Sequence, residues 1–382
     1  MNRHDLCPEA IDGRGGDDQV PDKKGNMAGW KQTLFEYVNA INEAGLRGEP
    51  DKLEQVSDSG HRARLSAKIQ AFARREALEG IKSIRSEMRA RIERSNSAGR
   101  GAVADVAVHS VRSFEQRGQP WLEERVERER IRFVLSGAGK WRIDSILPLA
   151  TERRPASYSI EEELYDAAGE QGERMGLPSA PYMNPDALYR FGSRVYSGVR
   201  SGAAGGWNGE ARSGVPYRRE AAVAFAERWW NEPSPSYEEF EVNCTNYVSQ
   251  CLFAGGAPMN YTGKRDSGWW YKGKANGQEQ WSYSWAVSNS LSHMLSVPRV
   301  NGMRADVVSS PSYLRLGDVI CYDWDGTGRF QHSTIVTAFN PEGQPLVNAN
   351  TVSSRHRFWD YRDSYAWTDR TQYRFFHIAD EF

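Results

Sequence analysis

The sequence predicts an α+β protein built from two domains. Helical spacing of apolar residues gives way to strand-like runs once in each half of the chain, and 382 residues exceed what one core usually holds. Hydrophobic residues make up 39% of the chain, which is enough for packed cores. The formal net charge of −1 gives no reason to expect a nucleic-acid partner.

The sequence of the first half of the chain predicts a short disordered arm followed by a small α+β domain. Residues 1–27 are polar and aperiodic, which is typical of a disordered arm. Apolar residues at helical spacing mark a first helix near Trp30–Ile41, and a second helix or helix pair is predicted from Leu65 to Ile92. Three strand-like runs follow: Val103–Phe114, Leu122–Leu135 and Lys140–Leu147. This order of two helices and three strands over residues 28–150 resembles an NTF2-like domain.

A linker and a second domain are predicted next. Residues 151–216 carry little pattern and include the Gly-rich stretch Ser197–Gly209, so we predict a linker. Residues 217–382 hold most of the tryptophans, which need a substantial core or a large groove. Because they lie in loop-like stretches, Trp269, Trp270 and Trp285 are predicted to line a substrate cleft. Packing in the core is the alternative.

Cys244 begins a predicted helix and is the candidate nucleophile. Asn243 is the predicted N-cap, and Gly255-Gly256 ends the helix. A cysteine in the first turn lies near the positive end of the helix dipole, which stabilises a thiolate. Tyr247 in the same turn is a candidate pocket wall. The alternative is that Cys244 is a small core residue, since free cysteines are commonly buried.

The cysteines Cys7, Cys244, Cys251 and Cys321 fit neither a disulfide framework nor a zinc site. Seven residues on one helix separate two Cα atoms by about 10 Å, whereas a disulfide spans at most about 7 Å. We therefore expect free thiols, and we expect no metal and no cofactor.

A histidine suited to act as the base lies on a predicted hairpin downstream. His332 stands near the start of a strand that ends at Phe339, and the loop Asn340–Gly343 leads into the returning strand. In this register Asn350 lies about one residue from the position opposite His332, and Asn348 lies two residues further. Either carboxamide could orient the imidazole, with Asn350 the leading candidate. A plain strand-end role is the alternative for both.

Several strings, in this order, resemble the bacterial putative amidase domain family: Cys-Thr-Asn-Tyr-Val-Ser-Gln-Cys from Cys244, Gly268-Trp269-Trp270, Gly317-Asp318-Val319, and Gln331-His332-Ser333. The family belongs with the NlpC-like and CHAP-like cysteine peptidases of the papain-like superfamily, and the resemblance covers about residues 217–382. It implies a helix with an N-terminal cysteine packed on a small antiparallel sheet. It also implies a Cys–His dyad with a third polar residue, here Cys244, His332 and Asn350. The family usually has Asp where Asn243 stands and His where Asn350 stands.

The resemblance implies an enzyme that cuts amide bonds, with peptidoglycan peptides of the cell wall as the expected substrates. Two rivals remain: a catalytically weak module that binds cell-wall peptide or glycan, and an intracellular amidase or isopeptidase that acts on small substrates. The sequence has no apolar run long enough to span a membrane and no visible signal peptide. We therefore expect a cytoplasmic protein or one exported by a non-signal route. A partner for residues 28–150 cannot be named from the sequence.

Overall fold

The computed structural model describes residues 29–49, 53, 56–153, 214–275, 278–299 and 302–382. The predicted arm at residues 1–27 and most of the predicted linker lie outside them. The first half contains two helices and four strands in the described part: α1 (Trp30–Arg47), α2 (Ser59–Glu79), β1 (Lys82–Ala98), β2 (Gly101–Gln116), β3 (Gln119–Leu135) and β4 (Trp141–Pro148). The α+β class is confirmed.

The prediction of helix as far as Ile92 is wrong beyond Glu79. Gly80 takes a left-handed conformation with φ of 63° and ends α2, and β1 follows at once. Ile84, Met88 and Ile92 recur every fourth residue. That spacing fits a helix face, but it also fits one face of a strand, because four is a multiple of two.

The second half begins with two helices and continues mainly as strands. Its elements are α3 (Arg219–Trp229), α4 (Cys244–Ala254), β5 (Tyr271–Ala275), β6 (Gln278–Trp281), α5 (Tyr283–Ala286), α6 (Ser288–Ser296), β7 (Ala305–Val308), β8 (Val319–Asp323), β9 (His332–Phe339), β10 (Pro345–Asn350), β11 (Ser353–Phe358) and β12 (Gln372–Ile378). The predicted cysteine helix and the predicted hairpin are both present. Helices α3 and α4 contact each other, and both contact β9.

Ten strands of the described chain form one antiparallel sheet in the order β1-β2-β3-β11-β10-β9-β8-β12-β7, with β4 also paired to β3. The two halves meet where Ser353, Ser354 and Arg355 of β11 pair with Val126, Arg125 and Glu124 of β3. Further along the same edge of β3, residues 129–135 pair with β4. The sheet is therefore continuous from the first half of the chain into the second.

A set of buried charged residues, which we call the junction cluster, lies where the halves meet. Its members are Glu123, Arg125, Glu152, Arg357 and Asp363. Arg125 pairs with both Glu123 and Asp363, and Arg357 pairs with Glu152 at 2.6 Å and with Asp363 at 3.4 Å. Each half contributes charges that the other half neutralises, so the junction depends on both.

Candidate active site

Cys244 is the first residue of α4 and is buried. Its main-chain N–H donates to Thr351 Oγ1 at 3.0 Å, immediately after β10. The helix N-terminus is therefore fixed against the end of the hairpin.

Asn243 occupies the predicted N-cap position of α4, but its side chain makes no capping hydrogen bond to the helix. Its Oδ1 instead accepts from the main-chain N–H of Phe240 at 3.2 Å and from Asn246 Nδ2 at 2.8 Å. Its Nδ2 donates to Asn350 Oδ1 at 2.8 Å. These bonds hold the residue before the cysteine from three directions.

The three described cysteines differ sharply in the acidity of their thiols. Burial raises the pKa of Cys244, but the imidazole of His332 and contacts with Ser333 and Thr245 lower it to about 7. Burial raises the pKa of Cys251 well above its ordinary value and raises that of Cys321 to about 12. All three are free thiols, which confirms the prediction for this part of the chain; Cys7 lies outside it. Only the thiol at the start of α4 is poised to ionise near neutral pH.

His332 begins β9 and is fully buried in an aromatic pocket. Its ring centroid lies 5.4 Å from that of Tyr322, 5.8 Å from Trp324 and 5.2 Å from Tyr361. The Trp324 ring is inclined by only 27° and stacks on the imidazole. Within the described residues, neither ring nitrogen has a hydrogen-bond partner. The pocket fixes the plane of the ring while leaving both nitrogens available for proton transfer.

Neither predicted orienting residue reaches His332. Asn350 donates to the carbonyls of Trp229 and Trp230, both at 3.1 Å, and accepts from Asn243. Asn348 donates to Glu227 Oε1 at 3.0 Å. The structure therefore brings Cys244 and His332 together and leaves the two carboxamides elsewhere.

The side-chain alternation of the hairpin explains this placement. Phe339 pairs with Pro345, one residue later than predicted, but a bulge after Leu346 restores the predicted register. Asn348 then lies opposite Ile335. Opposed residues share a face of the sheet, whereas His332 lies an odd number of residues from Ile335 and points to the other face. Asn350 follows Asn348 by two residues and shares its side.

We expect Asn350→Ala to reduce turnover more than Asn348→Ala. Loss of Asn350 leaves Asn243, beside the nucleophile, without one of its partners. A buried polar group left unpaired costs about 1–3 kcal/mol, equivalent to about 5- to 150-fold in rate if the whole cost raises the transition-state barrier. Kinetics of both variants on one peptide amide, with folding checked by circular dichroism, would test this. Greater damage from Asn348→Ala would show that the Asn243 contact does not support catalysis.

The aromatic residues predicted to line a cleft are buried instead: Trp269, Trp270, Trp285 and Tyr247. Trp285 Nε1 donates to Asn246 Oδ1 at 2.8 Å, and Trp269 Nε1 donates to Ser249 Oγ at 3.0 Å. Tyr247 donates its hydroxyl to the Ala226 carbonyl at 2.7 Å. Trp269, Trp285 and Tyr247 thus hold α4 in place, whereas Trp270 Nε1 donates to the carbonyls of Lys264 and Ser267. The prediction that the four line an exposed cleft is corrected to a buried packing role.

Sequence reasoning missed several residues at the site. Thr351 could have been found, because the hairpin register already placed it opposite His332. Asn246 and Tyr361 gave no signal that separates them from ordinary helix and core positions. Glu152 is buried close to His332 and gave none either, because it lies in a segment without periodicity.

The comparisons with known proteins bear on the second half of the chain. Residues 216–376 match the family model described as "Putative amidase domain". An uncharacterized protein of Bacillus subtilis (strain 168), YhbB, is 51% identical over 165 residues, which are 43% of this chain and 51% of that protein. The chain thus spans about half the length of this curated relative. The segment that matches the family model, residues 216–376, contains Cys244, His332 and Asn350, and excludes Glu152.

The intermembrane space region of the chloroplast protein ARC6 is among the solved structures to which this chain is similar. It is 13% identical with a TM-score of 0.23, and the match covers 31% of this chain and 92% of that one.

In the described part of the chain, no helix is long and apolar enough to cross a membrane. The same residues contain no group of three or more His, Cys, Asp or Glu side chains placed to hold a metal ion.

Proposed function

We propose that this protein is a cysteine-dependent hydrolase of amide bonds with a papain-like catalytic domain. The observation that carries the proposal is the placement of Cys244 at the start of α4 beside His332. The matched amidase model supports amide hydrolysis as the reaction class. A helix N-terminus and an adjacent imidazole are the two features that activate a cysteine nucleophile.

In this mechanism Cys244 Sγ attacks the carbonyl carbon of the amide, and His332 carries the proton released by the thiol. As the C–N bond breaks, His332 gives that proton to the leaving amine and a thioester remains on Cys244. His332 then takes a proton from water, the resulting hydroxide attacks the thioester, and the C–S bond breaks. The proton returns to the Cys–His pair.

The Cys244 main-chain N–H is the first candidate donor to the oxyanion. It now donates to Thr351 Oγ1, so a bound carbonyl must replace this hydroxyl. Because both Cys244 and His332 are buried, substrate entry also requires neighbouring groups to move. Thr351 would then act as a placeholder that satisfies the donor between turnovers.

We propose peptidoglycan peptides as the substrate class, on the basis of the family resemblance described above. Incubation with purified muropeptides and with short peptide amides, followed by mass analysis, tests the reaction and the substrate together. We expect products that have gained one water, formed by the native protein and absent with Cys244→Ala. Cleavage of small amides alone would support the intracellular amidase; binding of muropeptides without cleavage would support the binding module. The burial of the predicted aromatic platform weighs against that module.

Iodoacetamide should label Cys244 well before Cys251 and Cys321. The latter two are equally buried and serve as internal controls, but their pKa values are raised whereas that of Cys244 is lowered to about 7. Labelling of Cys244 should rise with a midpoint near pH 7, below the value of about 8.5 for a free thiol. Peptide mapping by mass spectrometry after short exposures measures this. Equal labelling of the three, or a midpoint near that of a free thiol, would contradict the activated thiolate.

A further inference from the structure

We propose that Glu152, contributed by the first half of the chain, positions His332 and stabilises its protonated form. This inference rests on the proposed function. Glu152 follows β4, lies outside the segment that matches the amidase model, and is only 4% exposed. The catalytic pair would thus be completed by a residue that the matched segment does not contain.

The main chain of Glu152 fixes one wall of the histidine pocket. Its carbonyl accepts from Trp324 Nε1 at 3.1 Å, across 172 residues of sequence. Trp324 is the ring that stacks on His332 at 5.8 Å. Leaving a buried indole N–H without a partner is costly, so this hydrogen bond fixes the orientation of the Trp324 ring. The Trp324 ring in turn fixes the plane in which the His332 imidazole stacks on it.

The side chain of Glu152 fixes a second wall through Arg357. Glu152 Oε1 pairs with Arg357 Nη1 at 2.6 Å, and Oε2 accepts from Ser364 Oγ at 3.0 Å. The Arg357 guanidinium lies 3.7 Å from the ring centroid of Tyr361. Tyr361 in turn contacts His332 with a centroid distance of 5.2 Å. The Glu152 carboxylate therefore holds the Arg357 guanidinium in place, and this guanidinium packs on the Tyr361 ring beside His332.

The charge of Glu152 also suits the reaction. When Cys244 transfers its proton, a positive imidazolium forms in a buried pocket, and a nearby anion offsets the cost of burying it. Burial raises the pKa of Glu152, but Arg357 and then His332 lower it below its ordinary value, so the carboxylate is ionised near neutral pH. Arg357 pairs with both Glu152 and Asp363. Its single positive charge therefore does not fully neutralise the Glu152 carboxylate.

The decisive variant is Glu152→Gln, which keeps the shape and the main-chain carbonyl but removes the charge. The groups that face Glu152 are Arg357, Ser364, His332, Tyr361 and Tyr365. Those that face Cys244 are His332, Thr245, Ser333 and Cys321. A less stable imidazolium stabilises the thiolate less, so the midpoint of Cys244 labelling should move upward by about one pH unit, a tenfold loss of thiolate at acidic pH. We expect kcat to fall with KM little changed, and Glu152→Asp to restore the labelling midpoint.

Glu124→Gln is the matched control. Glu124 also joins the two halves, through Arg355 Nη1 at 2.8 Å, but it contacts none of the pocket rings. Its loss should leave the labelling midpoint and kcat unchanged. If Glu152→Gln does not fold, Trp324→Phe carries the test. It keeps an aromatic ring beside His332, although a smaller one, and removes the hydrogen bond to the Glu152 carbonyl; kcat should again fall at constant KM.

The labelling readout needs no substrate, which separates the two proposals. An unmoved midpoint in Glu152→Gln, with native Cys244 still labelled near pH 7, overturns the role of Glu152 and leaves the proposed function intact. Native Cys244 that reacts only as an ordinary thiol overturns the proposed function itself. In the Trp324→Phe arm, unchanged kcat would overturn the positioning role.

Discussion

His332→Ala should abolish amide hydrolysis while the protein remains folded. His332 is the group that lowers the pKa of Cys244 most strongly, and its loss leaves a buried thiol whose pKa burial raises. General acid–base catalysis contributes about 10²–10⁴-fold, and loss of the thiolate adds to this loss. Turnover should therefore fall by at least about 10³-fold, measured as kcat on the best substrate found.

The controls must distinguish loss of the imidazole as a catalytic group from loss of its packing in the aromatic pocket. His332→Ala opens a cavity in an aromatic pocket, whereas His332→Gln keeps most of the volume, and both should be inactive. His377→Gln on β12 is the matched control: His377 Nδ1 contacts Asp318 Oδ2 at 2.8 Å, and this contact involves neither Cys244 nor His332. Its activity should be close to native. A folded His332→Ala protein with native activity would refute cysteine catalysis in this chain.

Asp363→Ala should destabilise the protein by about 3–5 kcal/mol, the cost of leaving buried charges without their partner. Asp363 neutralises Arg125 from the first half and Arg357 from the second, and all three are buried. The free energy of unfolding, measured in urea, should show the loss. Glu342→Ala removes another pair between the halves, with Arg117, but that pair is largely exposed and the loss should stay within about 1 kcal/mol.

The same carboxylate predicts how stability depends on pH. Burial raises the pKa of Asp363, but Arg125 and Arg357 lower it further, so the folded value lies well below the ordinary one. The folded state then binds fewer protons than the unfolded state, and the contribution of Asp363 is present above about pH 4 and declines as the pH falls below it. Native protein should lose this contribution in acid, and Asp363→Ala should lack it. Equal acid sensitivity of the two proteins would contradict the assignment.

The sequence predicted those parts of the site that depend on local pattern. Cys244 could be placed at a helix start because the apolar spacing and the terminal glycines mark one helix. His332 could be placed on a hairpin, and a one-residue error in its loop was cancelled by the bulge after Leu346. The direction of Asn350 was missed because only its distance along the strand was considered. Side-chain alternation places a residue one position from the partner of His332 on the opposite face of the sheet.

The rest depends on contacts between distant segments. Trp324 and Tyr361 are aromatic residues like many others in this domain, and nothing local marks them as the walls of a histidine pocket. Glu152 reaches Trp324 across 172 residues. Strand β1 was mistaken for helix because the four-residue spacing of its apolar side chains satisfies both periods.

The short pairing between β3 and β11 has a consequence for any protein that carries the amidase segment. Without β3, the main-chain groups of Ser353–Arg355 would form an open edge next to a buried strand. Such an edge can recruit a strand from another molecule and begin aggregation. Dissociation of the two halves would therefore expose an edge prone to aggregation and would also remove Glu152. Another protein that uses this segment must protect the same edge with a different strand, a helix or charged side chains.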